Sequence, residues 1–339
     1  MQISVMVNLR ARRGSERIAR ACQAEIPSAQ VHMSRSMGDL QRFTAALGDA
    51  PPELIVSAGG DGTALALINT WRASAGTVEL PGAAALGLLP LGTGNGWANA
   101  VGAPSWRKAL ATLGDLVRRP ASALPRRRFD LVEVEGLVGP FAGTGWDAEL
   151  IDDFNAQKTG PGILPARYRK GLAGYLQGLF LRTIPRNLSR RALAEVEITN
   201  TGEDALTVDE AGRVVPLPGG EHGKVLYRGP ASVCGAGTAS EWGFGFRAFP
   251  FAGVMPRRLH LRIYSGTAAE ATLRMSALWR GEHPLPKMHN WLVTSCHAVF
   301  SRPVPFQVGG DRLGMREAVD YGLAGGHVDL LDWTALRAH

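Results

Sequence analysis

Two glycine-rich segments, each set between an apolar run and a helical pattern, constrain this chain more than any other feature. The first is Ser57-Ala-Gly-Gly-Asp-Gly-Thr63, which follows the run Leu54–Ser57 and precedes the helical pattern Thr63–Ala75. The second is Leu88-Leu-Pro-Leu-Gly-Thr-Gly-Asn-Gly-Trp-Ala-Asn99, which follows the run Ala84–Pro90. A strand that passes through a glycine loop into a helix is the building unit of a parallel sheet covered on both faces. Two such loops face each other at the carboxyl ends of their strands, where open α/β folds bind ligands. Glycine lets the backbone approach a ligand closely, and exposed N–H groups at a helix start favour phosphate. Asp61 is out of place in an anion cradle unless it holds a magnesium ion, a water or an acceptor hydroxyl.

The rest of the first 125 residues continues the alternation. Ile3–Val7 reads as a strand, Ser15–Ile26 as a helix and Ser105–Leu116 as another helix. Arg118–Arg128 (RRPASALPRRR) has two prolines and five arginines and reads as a connector. Beyond it, Phe129–Val134, Val196–Thr199, Ala231–Cys234, Arg258–Ile263, Trp291–Ser295 and Val304–Val308 are short runs between Gly, Pro and polar turns. That spacing predicts an antiparallel sandwich or barrel. Ala166–Pro185 interrupts it with a helical pattern that has a basic head and an apolar body. The expected organisation is therefore an α/β domain with a parallel sheet over 1–128 and a mainly antiparallel β-sandwich over 129–325. Residues 326–339 form a tail expected to pack back on the first domain, and the active site is expected in the cleft between the domains.

Composition removes several classes. Three cysteines, Cys22, Cys234 and Cys296, lie far apart in 339 residues with no CxxC pair, which speaks against a disulfide scaffold or zinc cluster and suits a reduced cytoplasm. The eight histidines lack metal-site spacing. No apolar stretch reaches the 18 or so residues of a membrane-spanning helix. Only five of the 37 basic residues are lysine, none in the first hundred positions, so a lysine-bearing P-loop is excluded there. The net charge of +7 invites a nucleic-acid reading, but aromatics are 7% and no nucleic-acid-binding motif is present.

Together the two loops resemble the catalytic domain of the diacylglycerol kinase, sphingosine kinase and ceramide kinase superfamily, which carries GGDGT and then P-x-G-T-x-N-x-x-A-N. Asn8-Leu-Arg-Ala-Arg-Arg-Gly14 is similar to the family's N-P-R-G-G-K-G turn, with Leu9 for the usual proline. Ser34, ahead of Gly38-Asp39, stands where the family often has a nucleotide-contacting threonine. Gly143-Thr-Gly-Trp-Asp-Ala148 resembles the G-F-D-A segment, and Gly243–Ala252 resembles G-x-G-x-x-x-x-P-x-A. Val308-Gly-Gly-Asp-Arg312 aligns with V-D-G-E. NAD kinases share GGDG-type loops, but their N-E pair and T-P-x-G-S-T-A-Y-like segment are absent.

The resemblance implies phosphoryl transfer from ATP, with Mg²⁺, to a hydroxyl of a membrane lipid: a diacylglycerol, a ceramide or a sphingoid base. Gly59, Gly60, Gly62 and Thr63 would cradle phosphate, with Gly92, Thr93 and Asn95 contributing from the second loop. Asn8, Arg10 and Arg13 would neutralise phosphate charge in place of the missing lysine, and Ser34 would touch the nucleotide. Asp61 is the candidate for metal or nucleophile, and Asp311 the candidate general base; which of the two is the base stays open. Asp147 would bond the lipid headgroup, or else be a turn aspartate that bonds its own backbone. Two departures stand out. The family's D-G-E is Gly309-Gly310-Asp311 here, one carboxylate fewer and the other a methylene shorter. The family's D-G-x-L-D magnesium segment is Met255-Pro-Arg-Arg-Leu-His-Leu261, and arginines do not ligate a cation. The alternatives are a catalytically weak binding member of the superfamily and a kinase for a soluble alcohol.

The arginine excess suits a cytoplasmic protein held peripherally at an anionic membrane, at about 1 kcal/mol for each basic group near the surface. Arg167–Arg186 would lie in that interface or pack as an ordinary helix. Gly171–Leu181, Asp147, Trp242, Phe244, Phe246, Phe249 and Phe251 are expected to line one lipid cleft. A homodimer stays open, and no nucleic-acid partner is expected.

Overall fold

The computed structural model describes residues 1–118, 120, 124–159, 165–189 and 192–337. By internal contacts the chain divides into two units, Met1–Asp130 with Gly325–His339, and Leu131–Ala324.

The first unit is the expected α/β layer structure. Its sheet runs Gln30–Ser34, Ile3–Asn8, Leu54–Gly59, Ala85–Pro90, Val328–Leu331, Arg126–Phe129. All neighbours are parallel except the last pair. The central strands are near-continuous apolar runs because helices cover both faces: Val5, Val7, Leu54, Ile55, Val56 and Leu86 are fully buried. Each such side chain contributes roughly 1.5–3 kcal/mol by leaving water. The covering helices include Glu16–Glu25, Met37–Asp49, Asp61–Ala75 and Trp106–Leu116. Parallel pairing puts the carboxyl ends of four strands, at Asn8, Ser34, Gly59 and Pro90, along one edge.

The C-terminal segment is part of this unit. Val328–Leu331 pairs with Leu86 on one side and with Arg126–Phe129 on the other, and the short helix Trp333–Arg337 follows it. The expected strand Phe129–Val134 is two strands. Phe129 ends an edge strand of the first sheet, and Val132–Val134 joins the second sheet, with the unit boundary at Asp130. Of the expected connector, Arg119 and residues 121–123 lie outside the described residues.

The second unit is antiparallel, as the turn spacing predicted. Among the described residues its twelve strands form one hydrogen-bonded sheet, branched at the long strand Ser295–Val308. That strand turns into Asp311–Leu323 through Gly309-Gly310. Both glycines have positive φ, 59° and 92°, as a two-residue type I′ hairpin requires. The core is built from alternate residues such as Val196, Ile198, Leu259, Leu261, Ile263 and Phe306. The helix Trp146–Thr159 packs on the strands Phe141–Gly145 and Ser295–Val308, and the segments between 165 and 189 pack on that helix and on one another. The expected single helix over Ala166–Pro185 is broken into Ala166–Arg169, Leu172–Gly178, a wide π turn Leu179–Thr183 and Ile184–Leu188. Gly171, in extended conformation, is the first break; the π turn is the second.

Candidate functional site

The carboxyl edge of the first sheet gathers most of the residues singled out in the sequence. Asn8 Nδ2 donates to Thr63 Oγ1 at 2.8 Å, and its Oδ1 accepts from the Arg10 backbone N–H at 2.9 Å. One asparagine thus joins the first loop to the helix behind the GGDGT turn. The two glycine loops touch directly. Leu91 donates its N–H to Gly59 O at 2.8 Å, and Arg13 donates to Leu91 O at 3.1 Å. A Cβ on Gly60 would sit 3.0 Å from Gly92 Cα, and one on Gly92 would meet both Gly60 Cα and the Asn95 side chain. The close approach of the loops therefore excludes any side chain at Gly92 and leaves one at Gly60 tightly crowded. Asn95, in the left-handed region at φ 52°, accepts from Gly92 N–H at 3.0 Å and holds the second loop's curl.

Asp61 has a task the sequence did not predict. Its Oδ2 accepts from Gly96 N–H at 2.7 Å and its Oδ1 from Trp97 N–H at 3.1 Å. The carboxylate caps the short helix Gly96–Ala100 and so ties the start of one helix to the start of the other. Burial raises its pKa above the ordinary carboxylate value, and the two N–H bonds oppose that rise. Trp97 is buried and packs on Phe129, with ring centres 6.2 Å apart.

Beside these loops lies a cleft with about 390 Å³ of space for water centres. Asn8, Arg10, Ser34, Gly60, Gly62, Thr63 and Gly92 line it. Gly59, Arg13, Thr93 and Asn95 do not. A Cβ on Gly62 would meet nothing within 4 Å, so the turn opens freely to the cleft. The helix Asp61–Ala75 has no side-chain cap, which leaves its first N–H groups available to an anion. Arg35 and Ser36 also line the cleft and were not anticipated. Their local signal was the Ser36–Asp39 capping box that starts the helix Met37–Asp49.

A different cavity lies wholly within the second unit. It has about 130 Å³ of space for water centres, and its walls are mostly apolar and aromatic. Tyr175, Leu179, Trp242, Phe246 and Phe249 line it, as does Asp147. Two members of the expected aromatic group go elsewhere. Phe244 packs on Tyr175 at 5.4 Å, and Phe251 on His260 and His283 at 5.4 and 5.0 Å.

Asp147 opens the helix Trp146–Thr159 and is 5% exposed. Its Oδ1 accepts from the adjacent Ala148 N–H at 2.7 Å, and its Oδ2 from Gln307 Nε2 at 2.9 Å. Burial pushes its pKa up to about 7 despite those bonds. Gln307 was not seen in the sequence. Its Oε1 accepts from Gly310 N–H at 2.9 Å, which fixes the amide orientation and leaves Nε2 for the carboxylate. One buried side chain therefore links Asp147 to the hairpin tip that carries Asp311. Asp311 itself is exposed at that tip. Partial burial raises its pKa, and the Lys158 charge lowers it less than burial raises it.

Among the described residues no helix is long and apolar enough to cross a membrane, and no group of three His, Cys, Asp or Glu side chains has metal-binding geometry. The segment after 165 nevertheless exposes Leu172, Phe180, Leu181 and Leu188.

A parallel sheet with paired glycine loops and helix starts along one edge suits a phosphate-bearing ligand. The family model for the diacylglycerol kinase catalytic domain matches residues 3–124, the segment that holds both loops. Two solved structures from Bacillus anthracis str. Sterne share the fold over 99% of this chain and 98% of their own. One is a diacylglycerol kinase, 14% identical with a TM-score of 0.61. The other carries a provisional diacylglycerol kinase assignment, at 16% identity and a TM-score of 0.66. No curated protein sequence matches this chain.

Proposed function

We propose that the protein is an ATP-dependent lipid kinase that phosphorylates a hydroxyl of a diacylglycerol, a ceramide or a related membrane lipid. The observation that carries this reading is the pairing of two sites in one chain. A glycine cleft with open N–H groups and Arg10 suits a polyphosphate, and a cavity of apolar walls with one carboxyl group suits a lipid that presents a hydroxyl.

In this reading Gly60, Gly62, Gly92 and Thr63 cradle phosphate, while Asn8 and Asp61 hold the loops at the spacing that makes the cradle. Arg10 neutralises phosphate charge, and Ser34 lines the nucleotide side of the cleft. Arg13, Thr93, Asn95 and Gly59 act on the loops behind it. Both Asp61 oxygens already accept backbone N–H groups and Asp61 does not line the cleft, so a magnesium ion arriving with ATP would take its ligands chiefly from phosphate and water, with Asp61 at most one further ligand. Bound there, the ion would neutralise the charge of the transferring phosphoryl group.

Asp147 accepts the hydrogen bond of the lipid hydroxyl or holds the headgroup beside it. The acceptor oxygen bonds to the γ-phosphorus, the bond from that phosphorus to the ADP oxygen breaks, and the hydroxyl proton passes to a carboxylate. Asp311 is the proposed base, carried on the hairpin that Gln307 ties to Asp147. The exposed Leu172, Phe180, Leu181 and Leu188 would enter an anionic membrane surface at the inner leaflet. The test is incubation with ATP labelled at the γ-phosphate and vesicles containing each lipid. Label in an organic-soluble product that requires vesicles supports the reading. Label in glycerol or another soluble alcohol, with none in lipid, overturns it.

A further inference from the structure

The strand Leu259–Tyr264 alternates strictly. Leu259, Leu261 and Ile263 enter the sheet's core, so His260, Arg262 and Tyr264 point to the opposite face. Arg262 lines the apolar cavity and is 6% exposed. Its Nη1 donates to Ala248 O at 2.6 Å and reaches Arg247 O at 3.5 Å. Among the described residues its Nε and Nη2 have no hydrogen-bond partner and no carboxylate offsets its charge. Burial pulls its pKa down, to about 10, so it remains a cation at neutral pH.

A guanidinium offers five N–H donors and accepts nothing. Buried charges in folded proteins are paired, because an unpaired one carries its full desolvation cost. Trp242 Nε1, in the wall of the same cavity, is a further buried donor without a partner. Two further groups of the wall, Asn187 Oδ1 and the Tyr264 hydroxyl, are buried without a partner and can accept, while the Asp147 carboxyl already takes N–H groups from Ala148 and Gln307 on its two oxygens. None of these is hydrogen-bonded to Arg262, whose Nε and Nη2 are left open among the described residues. What completes the cavity is a hydrogen-bond acceptor carried on an aliphatic body. On one neighbouring strand Gly235 stands directly opposite Arg262; on the other, Met288–Val293, the buried Asn290 does, but its Oδ1 is engaged by His260 Nε2 at 3.0 Å.

We propose that Arg262 is a specificity-determining residue that reads an acyl oxygen, so that the cavity takes an aliphatic ligand bearing a carbonyl or carboxylate and disfavours a long-chain amine. This rests on the acceptor-site reading above and narrows it to acylated lipids, whose ester or amide carbonyl supplies the shared chemistry. A free sphingoid base brings no acyl oxygen, so both Arg262 donors stay unpaired, and its ammonium adds a second cation to a wall whose one carboxyl group, Asp147, is already bonded to Ala148 and Gln307.

The experiment uses the full chain without nucleotide. Oleate, monooleoylglycerol, oleyl alcohol and oleylamine, matched in chain and kept below their aggregation concentrations, are titrated against tryptophan fluorescence, since Trp146, Trp242 and Trp279 line the cavity. Oleate and monooleoylglycerol should bind about tenfold or more tighter than oleyl alcohol, with oleylamine weakest, as expected where an analogue leaves buried polar groups unpaired. Arg262→Met should bring oleate and the alcohol to within about twofold, and Arg262→Lys should restore part of the oleate preference, since a charge and donors return. Equal binding of oleate and oleyl alcohol to the parent protein overturns the role of Arg262 and leaves the acceptor cavity standing. Retention of the oleate preference by Arg262→Met overturns it too. If none of the four binds, the acceptor-site reading falls with it. The ranking on the parent protein decides the matter even if Arg262→Met does not fold.

Discussion

Replacing Asp147 with asparagine removes a carboxyl group that burial holds at a pKa of about 7 against an ordinary 3.8. Because the folded-state value is the higher one, the folded protein binds more protons than the unfolded chain between those two values. Its stability therefore falls as pH rises through that window and levels off above the folded-state pKa. From about pH 5 to about pH 8 the loss amounts to roughly 2–3 kcal/mol. The Asp147→Asn variant has no such slope. It has a different cost. The carboxylate accepts from both Ala148 N–H and Gln307 Nε2, while asparagine has one acceptor oxygen. One buried donor is then left facing an amide NH₂, at about 1–3 kcal/mol whatever the pH. The variant should be the less stable protein at about pH 5 and should equal or exceed the parent at about pH 8. Urea unfolding of both proteins, followed by tryptophan fluorescence at several pH values, reads this directly. A stability difference that stays constant between those two pH values would refute the reasoning, because Asp147 would then titrate as an ordinary solvated carboxylate.

Gly92→Ala should abolish the rise in thermal midpoint that Mg-ATP gives the parent protein, because the new Cβ meets both Gly60 and the Asn95 side chain; a full nucleotide shift would mean the loops do not need their close approach. Asp61→Ala strips the acceptor from Gly96 and Trp97, leaving each N–H short of about 1–3 kcal/mol, so it should lower the urea midpoint as well as turnover. An unchanged midpoint would remove the tether role. Phe180→Glu combined with Leu181→Glu should cut binding to anionic vesicles in a co-sedimentation assay, because both side chains are about half exposed and a charge there opposes insertion. Parent-like sedimentation would make that face ordinary surface.

The two glycine loops were legible because everything that defines them is local: an apolar strand, a turn that needs glycine, a helix start. The strand Gln30–Ser34 and the helix Met37–Asp49 carry little local signal, since the strand is polar and half-exposed; only Ser36 and Asp39, three apart, mark the boundary. Periodicity over Ala166–Pro185 gave helix correctly but not its breaks, because an extended Gly171 and a π turn keep the apolar spacing roughly intact. The boundary at Asp130 was hidden because Phe129 and Val132 are both apolar strand residues, yet they belong to different sheets. The groups around the second cavity were the least legible. Gln307 meets Asp147 across 160 positions, and Arg262 lies in the expected strand run Arg258–Ile263, where nothing local marks it as facing a cavity. Contacts at that sequence distance come from register and topology, which composition and spacing do not report. Asp61 shows the converse: its chemistry was noticed from the motif, but its bonds to Gly96 and Trp97 depend on how two loops meet.

The central claim is that one chain transfers the terminal phosphate of ATP to a lipid held at Asp147. The most direct measurement is mass spectrometry of the lipid fraction after the parent protein and Asp147→Ala are each incubated with ATP, Mg²⁺ and mixed micelles of acylglycerol and ceramide. Thermal shift with Mg-ATP is recorded on the same samples. The account predicts a phosphorylated lipid with the parent protein, little or none with the variant, and the same nucleotide shift in both. A phosphorylated lipid formed equally by the variant, or no phosphorylated lipid from the parent protein, would contradict it.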